Sequence, residues 1–486
     1  MSLGHLSKLG LIENPEGFRP LKFFQYEVRQ SILKDVLKAL ATDQSFHYQY
    51  KLNNLPQFEY LCHTMSESFF LDLKDFELTR NTAKIIISWF ISKTDLPPCL
   101  KPAMSRSRGK DGELVESTDN LTQHGSNAEL NASPTKESSH TLLKSFKKPN
   151  LDGEQALRLV NQLLLHFSSV FEMDDQYDDV GSSFLENYQL LLTTVIGFYV
   201  QFARTWAFKM VAPRNPPRDV LDQSPSRLLF KITIGLVDYC LQKQKPKEQH
   251  QAVWTRILHK ACSALLSVIF SSKDLSDESW DELQLFFKQW LNHPNIAKVW
   301  SSVIYSLTEH IQFLSEKRLQ SSKLMDIVKI NLPGNEVLGV SLTEEEFFEF
   351  WRRFISLGNT ILVPEVLSYL NPESFYIIYL GLNQLVSKLI DMENNNIMQL
   401  KDQVIISSNS ILKLFGGWLM TGACFEDIKD IMHFKGRAEA LSCLCRIFTN
   451  DISEGLMRGK DDEYNGSFNK EEIACLLAII NKVLLY

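Results

Sequence analysis

The feature that most constrains the fold is a pair of wide apolar stripes with helical spacing in the middle of the chain. The first stripe consists of Trp280, Leu283, Phe287 and Trp290. It is expected to end near Asn292-His293-Pro294, because proline cannot continue a helix but fits the first turn of the next one. The second stripe consists of Ile296, Val299, Trp300, Val303, Ile304, Leu307, Ile311 and Leu314. Two amphipathic helices joined by so short a turn are expected to lie antiparallel.

Signals for the ends of helices accompany the stripes. Ser279 with Glu282, and Thr343 with Glu346, have the spacing of a capping box, which predicts a helix start at each place. The second start precedes a further apolar stripe made of Phe347, Phe348, Trp351, Phe354 and Ile355. Gly358 follows this stripe and fits a helix C-cap, since glycine adopts the left-handed conformation at no steric cost.

Successive helix pairs joined by short turns predict an all-α protein, specifically an elongated α-solenoid of HEAT/armadillo-like antiparallel helix pairs. Such repeats are about 40–47 residues long, although no self-similar motif is visible here. A compact all-α bundle is the alternative. It is disfavoured because single cores stop growing beyond about 250–300 residues, and this chain has 486 residues.

One segment interrupts the helical pattern. From Ile91 to Ser145 there is no Phe, Trp or Tyr, and Ser, Thr, Asn and charged residues dominate, so a disordered insertion is expected. The ending NKVLLY is apolar and lacks the polar cap that helical arrays require, so we interpret the chain as a fragment or an incomplete sequence. The predicted divisions are an N-terminal helical segment (1–95), the disordered insertion (96–150), a helical-repeat region (151–450), a polar loop (451–470) and the start of a further, truncated helix (471–486).

Composition excludes several classes of protein. The net charge of −7 gives no basic excess for neutralising phosphates, which disfavours nucleic acid as a partner. Eight cysteines at irregular spacings and the lack of a signal peptide favour a reducing, cytoplasmic location. The uncharged run at 187–203 is at the lower limit for crossing a bilayer, and its polar residues favour a buried helix over a transmembrane span.

Cys443 and Cys445 are the first candidates for chemistry. On a helix, residues two apart point in nearly opposite directions, so this pair cannot clamp one metal ion. No second ligand pair with zinc spacing accompanies them. Together with Ala440, Leu444 and Ile447 they form an apolar stripe, which predicts small core residues.

Two loops and three tryptophans are weaker candidates. Asp461, Glu463, Asn465 and Glu472 stand at positions 1, 3, 5 and 12 of a calcium-loop pattern. Glu is unusual at the third position, so an acidic solvated loop before a helix is the preferred interpretation. The glycines of the segment 455–460 are one residue short of a phosphate loop. Trp280, Trp290 and Trp300 lie on the apolar stripes, so packing is favoured over base stacking.

We therefore predict no catalytic residue, no cofactor and no metal site, with the calcium loop as the open alternative.

Three segments carry a resemblance to a known family. ESWDELQLFFKQWLNHPNIAKVWSSVI (278–304), NSILKLFGGWL (409–419) and GRAEALSCLCRIF (436–448) resemble the N-terminal region of Ral GTPase-activating protein beta subunits, in the RalGAP/tuberin-like family. The resemblance implies a helical-repeat protein that pairs with a catalytic alpha subunit. In that family, an asparagine in the alpha subunit's C-terminal domain acts on Ral-type GTPases. This chain has no counterpart to that domain, so no catalytic residue carries over. It also departs from the family's long Ser/Pro-rich insertion, because only Asp391 to Ser408 precedes the ILKLFGGWL helix.

The expected function is therefore a non-catalytic scaffold or regulatory subunit of a cytoplasmic Ral GTPase-activating complex. It would support GTP hydrolysis by a small GTPase through its catalytic alpha partner. The alternative is an α-solenoid protein-interaction adaptor in another pathway. An enzyme in its own right is the third and least favoured class.

Overall fold

The structure is a computed structural model, and the residues it describes are mostly helical. They are 20–42, 55–72, 75–91, 99–100, 151–171, 182–206, 224–243, 248–272, 275–318, 327–360, 364–394, 408–428, 430–457, 474–475 and 477–481. The helices in these ranges are α1 (Tyr26–Thr42), α2 (Leu55–Ser66), α3 (Phe76–Ile91), α4 (Leu151–Ser168), α5 (Ser182–Thr205), α6 (Pro225–Lys243), α7 (Glu248–Ser271), α8 (Asp277–Trp290), α9 (Pro294–Arg318), α10 (Glu344–Ser356), α11 (Pro364–Leu367), α12 (Pro372–Asn394), α13 (Ser408–Ala423) and α14 (Ile431–Met457). The strands are β1 (Ile327–Leu332) and β2 (Glu336–Ser341). The predicted all-α class is confirmed.

The helices stack in two rows. Helix α2 packs on α4 and α4 on α6, while α3 packs on α5 and α5 on α7. Further along, α9 packs on α12 and α12 on α14, and α13 also packs on α14. Each helix of the first part thus contacts the helix two places along the chain, which is how neighbouring repeats bury their apolar faces in a solenoid. The packing is consistent with the predicted helical solenoid.

The three tryptophans of the central stripes lie in the core, as predicted. Trp280, Trp290 and Trp300 keep 7%, 3% and 2% of their surface exposed. The indole N–H of Trp290 donates to Asp238 at 3.0 Å, and that of Trp300 donates to the carbonyl of Phe354 at 3.0 Å. Each of these two buried N–H groups has a partner, so packing and hydrogen bonding act together.

The ends of the central helices agree with two of the sequence signals and differ from the other two. Helix α8 ends at Trp290 and α9 begins at Pro294. The capping box of α10 is present, with Glu346 accepting from the Thr343 N–H at 3.0 Å and Thr343 accepting from the Glu346 N–H at 3.3 Å. The predicted capping role of Ser279 is wrong, because α8 begins earlier and Ser276 caps it. The acidic side chains of Asp277 and Glu278 then lie in the first turn, where the helix dipole favours them.

Gly358 has a different role from the predicted C-cap. Helix α10 continues into the 3₁₀ turn Leu357–Thr360, and the capping residue is Leu357. A Cβ atom on Gly358 would lie 2.8 Å from Cη2 of Trp418 and 3.2 Å from Cζ2 of Trp300. Glycine is therefore required here because two indole rings occupy the space of a side chain.

A β-hairpin that the sequence analysis missed interrupts the predicted helical-repeat range 151–450. Strands β1 and β2 pair antiparallel, from Ile327 opposite Ser341 to Leu332 opposite Glu336. One face of the hairpin is buried and packs on α9 and α7. The buried residues are Val328, Ile330, Leu332, Leu338 and Val340. Their alternation with exposed residues is the period-two signal of a strand.

Some described residues fall inside the predicted insertion and the predicted polar loop, and one further interpretation is confirmed. Cys99 and Leu100, within the predicted insertion (96–150), are buried in the core. Helix α14 continues to Met457, past the predicted start of the polar loop at 451. The rest of the insertion and most of the loop lie outside the described residues. The uncharged run 187–203 forms most of α5, whose apolar residues are largely buried, as predicted.

One described helix is long and apolar enough to cross a bilayer. It is the segment Gln251–Ser271 of α7, and 67% of it is buried inside the protein. Core helices meet the same criterion of length and composition, so this segment is weak evidence for a membrane span.

Candidate functional site

An open polar groove lies where α9, α12 and α14 meet. Its volume is about 700 Å³, and Tyr305 of α9 lines it together with residues of the other two helices. A smaller groove of about 280 Å³ shares Ser387, Asp391 and Arg446 with it and extends it toward Asn450. The polar side chains that line the larger groove include Asn383, Ser387, Lys388, Asp391, Glu439 and Arg446. We call this feature the α12–α14 groove.

The sequence of α12 explains why a polar groove forms on this face. The helix is apolar on the side that packs into the core, where Phe375, Tyr379 and Leu382 are fully buried. Its polar residues recur at 383, 384, 387, 388 and 391, which is the three-and-four spacing of a single stripe. On α14, Glu439 and Arg446 are seven residues apart and therefore lie on one face, toward that stripe.

Helices α12 and α14 pack closely beside the groove. Gly436 of α14 lies against the ring of Phe375, and a Cβ atom at this position would overlap that ring. The absence of a side chain lets α14 approach α12 closely at the start of α14. Farther along, Glu439 and Arg446 bridge the two helices with polar contacts.

Three hydrogen bonds organise the groove. The Asn383 amide Nδ2 donates to the carboxylate of Glu439, which joins α12 to α14. Arg446 donates to the hydroxyl oxygen of Ser387, and this hydroxyl donates to the Asn383 main-chain carbonyl at 2.7 Å. The same residues therefore hold the two helices together and face the open volume.

The groove also has hydrogen-bonding capacity that these contacts do not use. The side-chain oxygen Oδ1 of Asn383 is buried and has no partner among the described atoms. Lys388 lines the groove and makes no ion pair or hydrogen bond within the described ranges, and Arg446 uses one of its five N–H donors. The groove thus carries two cations, Lys388 and Arg446, beside the carboxylates of Asp391 and Glu439.

A second polar cluster fixes the far end of the groove. The carboxylate of Glu393, near the end of α12, accepts the main-chain N–H of Ser408 at 2.8 Å and its hydroxyl at 2.9 Å. Asn450 of α14 donates to the same carboxylate at 3.1 Å. Because Ser408 begins α13, this carboxylate satisfies an N-terminal donor of that helix and ties three helices together.

Of the paired cysteines, Cys443 is a core packing residue, as predicted, whereas Cys445 is only partly buried. Cys443 is fully buried on α14, and Cys445 is half-buried. Burial raises the pKa of the Cys443 thiol, which keeps it protonated and unreactive at neutral pH. Neither cysteine lines the α12–α14 groove.

The structure does not test the calcium-loop alternative. Asp461, Glu463, Asn465 and Glu472 all lie outside the described residues. Within the described ranges, no group of three or more His, Cys, Asp or Glu side chains is arranged to hold a metal ion.

The sequence analysis missed the α12–α14 groove, although part of its signal was visible. A polar stripe inside an otherwise apolar helix, with Asn383 at its start, indicates a face that is not packed like the rest. The sequence around Tyr305 and Arg446 gives no local indication that these residues line a groove. They depend on α9, α12 and α14 packing together across long stretches of sequence.

The fold first indicates the class of protein. Helices that pack on the helix two places along the chain are typical of helical-repeat proteins, which bind partners along extended surfaces. The family comparison then narrows the class: residues 210–314 match the family described as the RALGAPB N-terminal domain. This stretch includes α6, α7, α8 and most of α9. The match confirms the predicted resemblance to the N-terminal region of Ral GTPase-activating protein beta subunits over these residues.

The match has clear limits along the chain. It includes the quoted segment 278–304, whereas the segments 409–419 and 436–448 and most of the groove lie beyond it. No curated protein and no solved structure matches the chain significantly.

Proposed function

We propose that the chain is a non-catalytic scaffold or regulatory subunit of a Ral GTPase-activating complex. It would support GTP hydrolysis by a Ral-type GTPase through a catalytic alpha subunit, in the cytoplasm. The single observation that carries this proposal is the family match at residues 210–314, which falls on four packed helices of the solenoid-like stack.

The buried surfaces of the matched helices support a structural role for this region. Trp254, Trp280, Trp290 and Trp300 all lie in the core, and Cys240 and Cys262 are buried thiols whose pKa burial raises. Thiols kept protonated by burial are poor nucleophiles. These side chains therefore build a rigid stack of helices, which suits a subunit that positions another protein.

Co-purification tests the proposal directly. The tagged chain is co-expressed with a catalytic alpha subunit of a Ral GTPase-activating complex, and the eluted complex is sized by light scattering. The proposal expects a stoichiometric complex that survives washing at physiological salt. A chain that is folded by circular dichroism and elutes without the alpha subunit would contradict it and would favour an adaptor role in another pathway.

A further inference from the structure

We propose that the outer edge of strand β2 binds an extended segment of a partner protein, which adds a third strand to the hairpin. The segment carries an acidic residue that pairs with Lys329 and an apolar residue two positions away that packs on Val337. This inference goes beyond the proposed function, because it rests on the chemistry of the hairpin and holds whichever complex contains the chain.

The first step is the direction of the main-chain groups. In an antiparallel pair, alternate residues point their N–H and C=O groups toward the partner strand and away from it. The main-chain N–H of Asn331 donates to Oγ of Ser306 on α9 at 3.4 Å, so this residue points away from β2. Val337 lies opposite Asn331 in the register, and Gly339 and Ser341 follow in the same phase. The N–H and C=O groups of these three β2 residues therefore point to the outer edge of the hairpin.

The second step is that this edge is open. Val337, Gly339 and Ser341 are exposed, and their outward main-chain groups make no hydrogen bond within the part of the chain that the structure describes. Gly339 consists of main chain alone, so its exposure is that of groups that can pair with another strand. Open edges of sheets are commonly protected by Lys, Pro or a bulge, and none of these three positions carries Lys or Pro.

The third step is the charge on the outer face of the hairpin. Lys329 lies on this face and makes no ion pair within the described ranges. The carboxylate at the start of β2, Glu336, is already paired with Lys260 at 2.9 Å. The residues that form the outer face are Ile327, Lys329, Asn331, Val337, Gly339 and Ser341. The face thus carries one cation and no anion, and a carboxylate on the added strand complements it.

The register fixes the position of that carboxylate. Lys329 lies opposite Gly339. Neighbouring strands are about 4.8 Å apart, so the residue of a third strand beside Gly339 would lie about 10 Å from Lys329. Glycine places no side chain of its own between them, and the long side chains of lysine and glutamate together span this distance. The acidic residue of the segment is therefore expected beside Gly339.

The apolar residues of the outer face define the neighbouring position of the segment. Val337 and Ile327 are 60% and 65% exposed. A Cβ atom on Gly339 would lie 3.2 Å from Cγ2 of Ile327, so the Ile327 side chain leans over β2. An apolar side chain two positions from the acidic residue would lie beside Val337 and cover it. Because β2 has six residues, a segment of about six residues can pair along its whole length.

A second copy of this chain fits the edge less well than such a segment. If β2 paired with β2 of another copy about Gly339, the two Lys329 side chains would lie on the same face of the new sheet. None of the six outer-face residues would supply a carboxylate to either lysine. A partner segment with one acidic residue removes this deficit.

Peptide selection tests the inference and does not require the partner to be identified. The immobilised full chain is panned against phage that display random octapeptides. The expected result is enrichment of Asp or Glu together with an apolar residue two positions away. Gly339→Pro removes the outward N–H and should lose the enrichment, since proline is tolerated at a strand edge but cannot donate. Gly339→Ala, the matched control, keeps this N–H and should keep the enrichment. Lys329→Gln should lose the acidic preference alone.

The affinity of a selected peptide then tests the strand geometry on the wild-type chain by fluorescence anisotropy. A bound strand points every second N–H at β2, so N-methylation at these residues should weaken binding about fivefold. Methylation at the residues between them should have little effect. Lys329→Gln should weaken binding about threefold, as expected for an exposed ion pair. Circular dichroism melting checks that every variant is folded.

Four results would overturn the inference. The first is the absence of enrichment with the folded wild-type chain. The second is an equal acidic preference with the folded Lys329→Gln chain. The third is a methylation series without the alternation. The fourth is a dimer in light scattering that Gly339→Pro dissociates and Gly339→Ala does not, because a second copy would then occupy the edge.

Discussion

Replacing Trp300 with alanine is the sharpest test of the core packing. The indole is 2% exposed on α9, contacts the turn at Gly358 and donates to the Phe354 carbonyl at 3.0 Å. Trp→Ala substitutions in a core cost about 3–5 kcal/mol because of the cavity they leave. Loss of the hydrogen bond to the Phe354 carbonyl contributes to that cost. A cavity of about 30 Å³ already exists beside the ring, so the new space would merge with it and would be hard to close.

The expected loss is a large part of the roughly 5–15 kcal/mol that keeps a domain folded. In a cooperative unit of about 150–250 residues it lowers Tm by roughly 6–20 °C, which thermal unfolding followed by circular dichroism measures. The matched control is Leu285→Ala on α8, because Leu285 is 64% exposed and its loss should cost no more than about 0.5 kcal/mol. If both variants melt at the wild-type temperature, the described packing of Trp300 is refuted.

Local geometry gives three further predictions. Thr343→Ala removes the N-cap of α10 and should cost about 1 kcal/mol in urea unfolding; an unchanged midpoint would contradict the capping box. Gly358→Ala places a Cβ 2.8 Å from the ring of Trp418 and should cost about 1–3 kcal/mol, whereas a stabilised variant would show that the two tryptophan rings can move aside. Burial raises the pKa of Cys443, so its thiolate fraction at pH 8 is reduced, and iodoacetamide should label the exposed Cys475 first; mass spectrometry of tryptic peptides checks the order, and faster labelling of Cys443 would contradict its burial.

The helices of the central region were predictable because their signals are local. The stripe that ends at Trp290, the proline at position 294 and the Thr343–Glu346 pair each depend on neighbours within a few turns. The wrong prediction of Ser279 as the N-cap of α8 also has a local cause. A serine follows the actual N-cap, Ser276, at the third position where Glu is usual, so the capping-box pattern pointed to Ser279 instead.

Features that depend on distant packing were not predictable in the same way. The need for glycine at position 358 comes from the packed rings of Trp300 and Trp418, which are both distant in sequence. The α12–α14 groove depends on three helices whose contributing residues, such as Tyr305, Asn383 and Arg446, are widely separated. The β-hairpin has a local signal, but a weak one. Strands β1 and β2 show the alternation of buried and exposed residues that is typical of strands, but each has only six residues. Strands this short give a weak signal beside long helical stripes.

The measurement that tests the central claim most directly is single-turnover GTP hydrolysis by a Ral GTPase. The reaction is followed with the chain alone, with a catalytic alpha subunit alone, and with both together. A scaffold that acts through its partner predicts no acceleration by the chain alone and faster hydrolysis with both than with the alpha subunit alone. Acceleration by the chain alone, or the same rate with and without the chain at saturating concentration, would contradict the account.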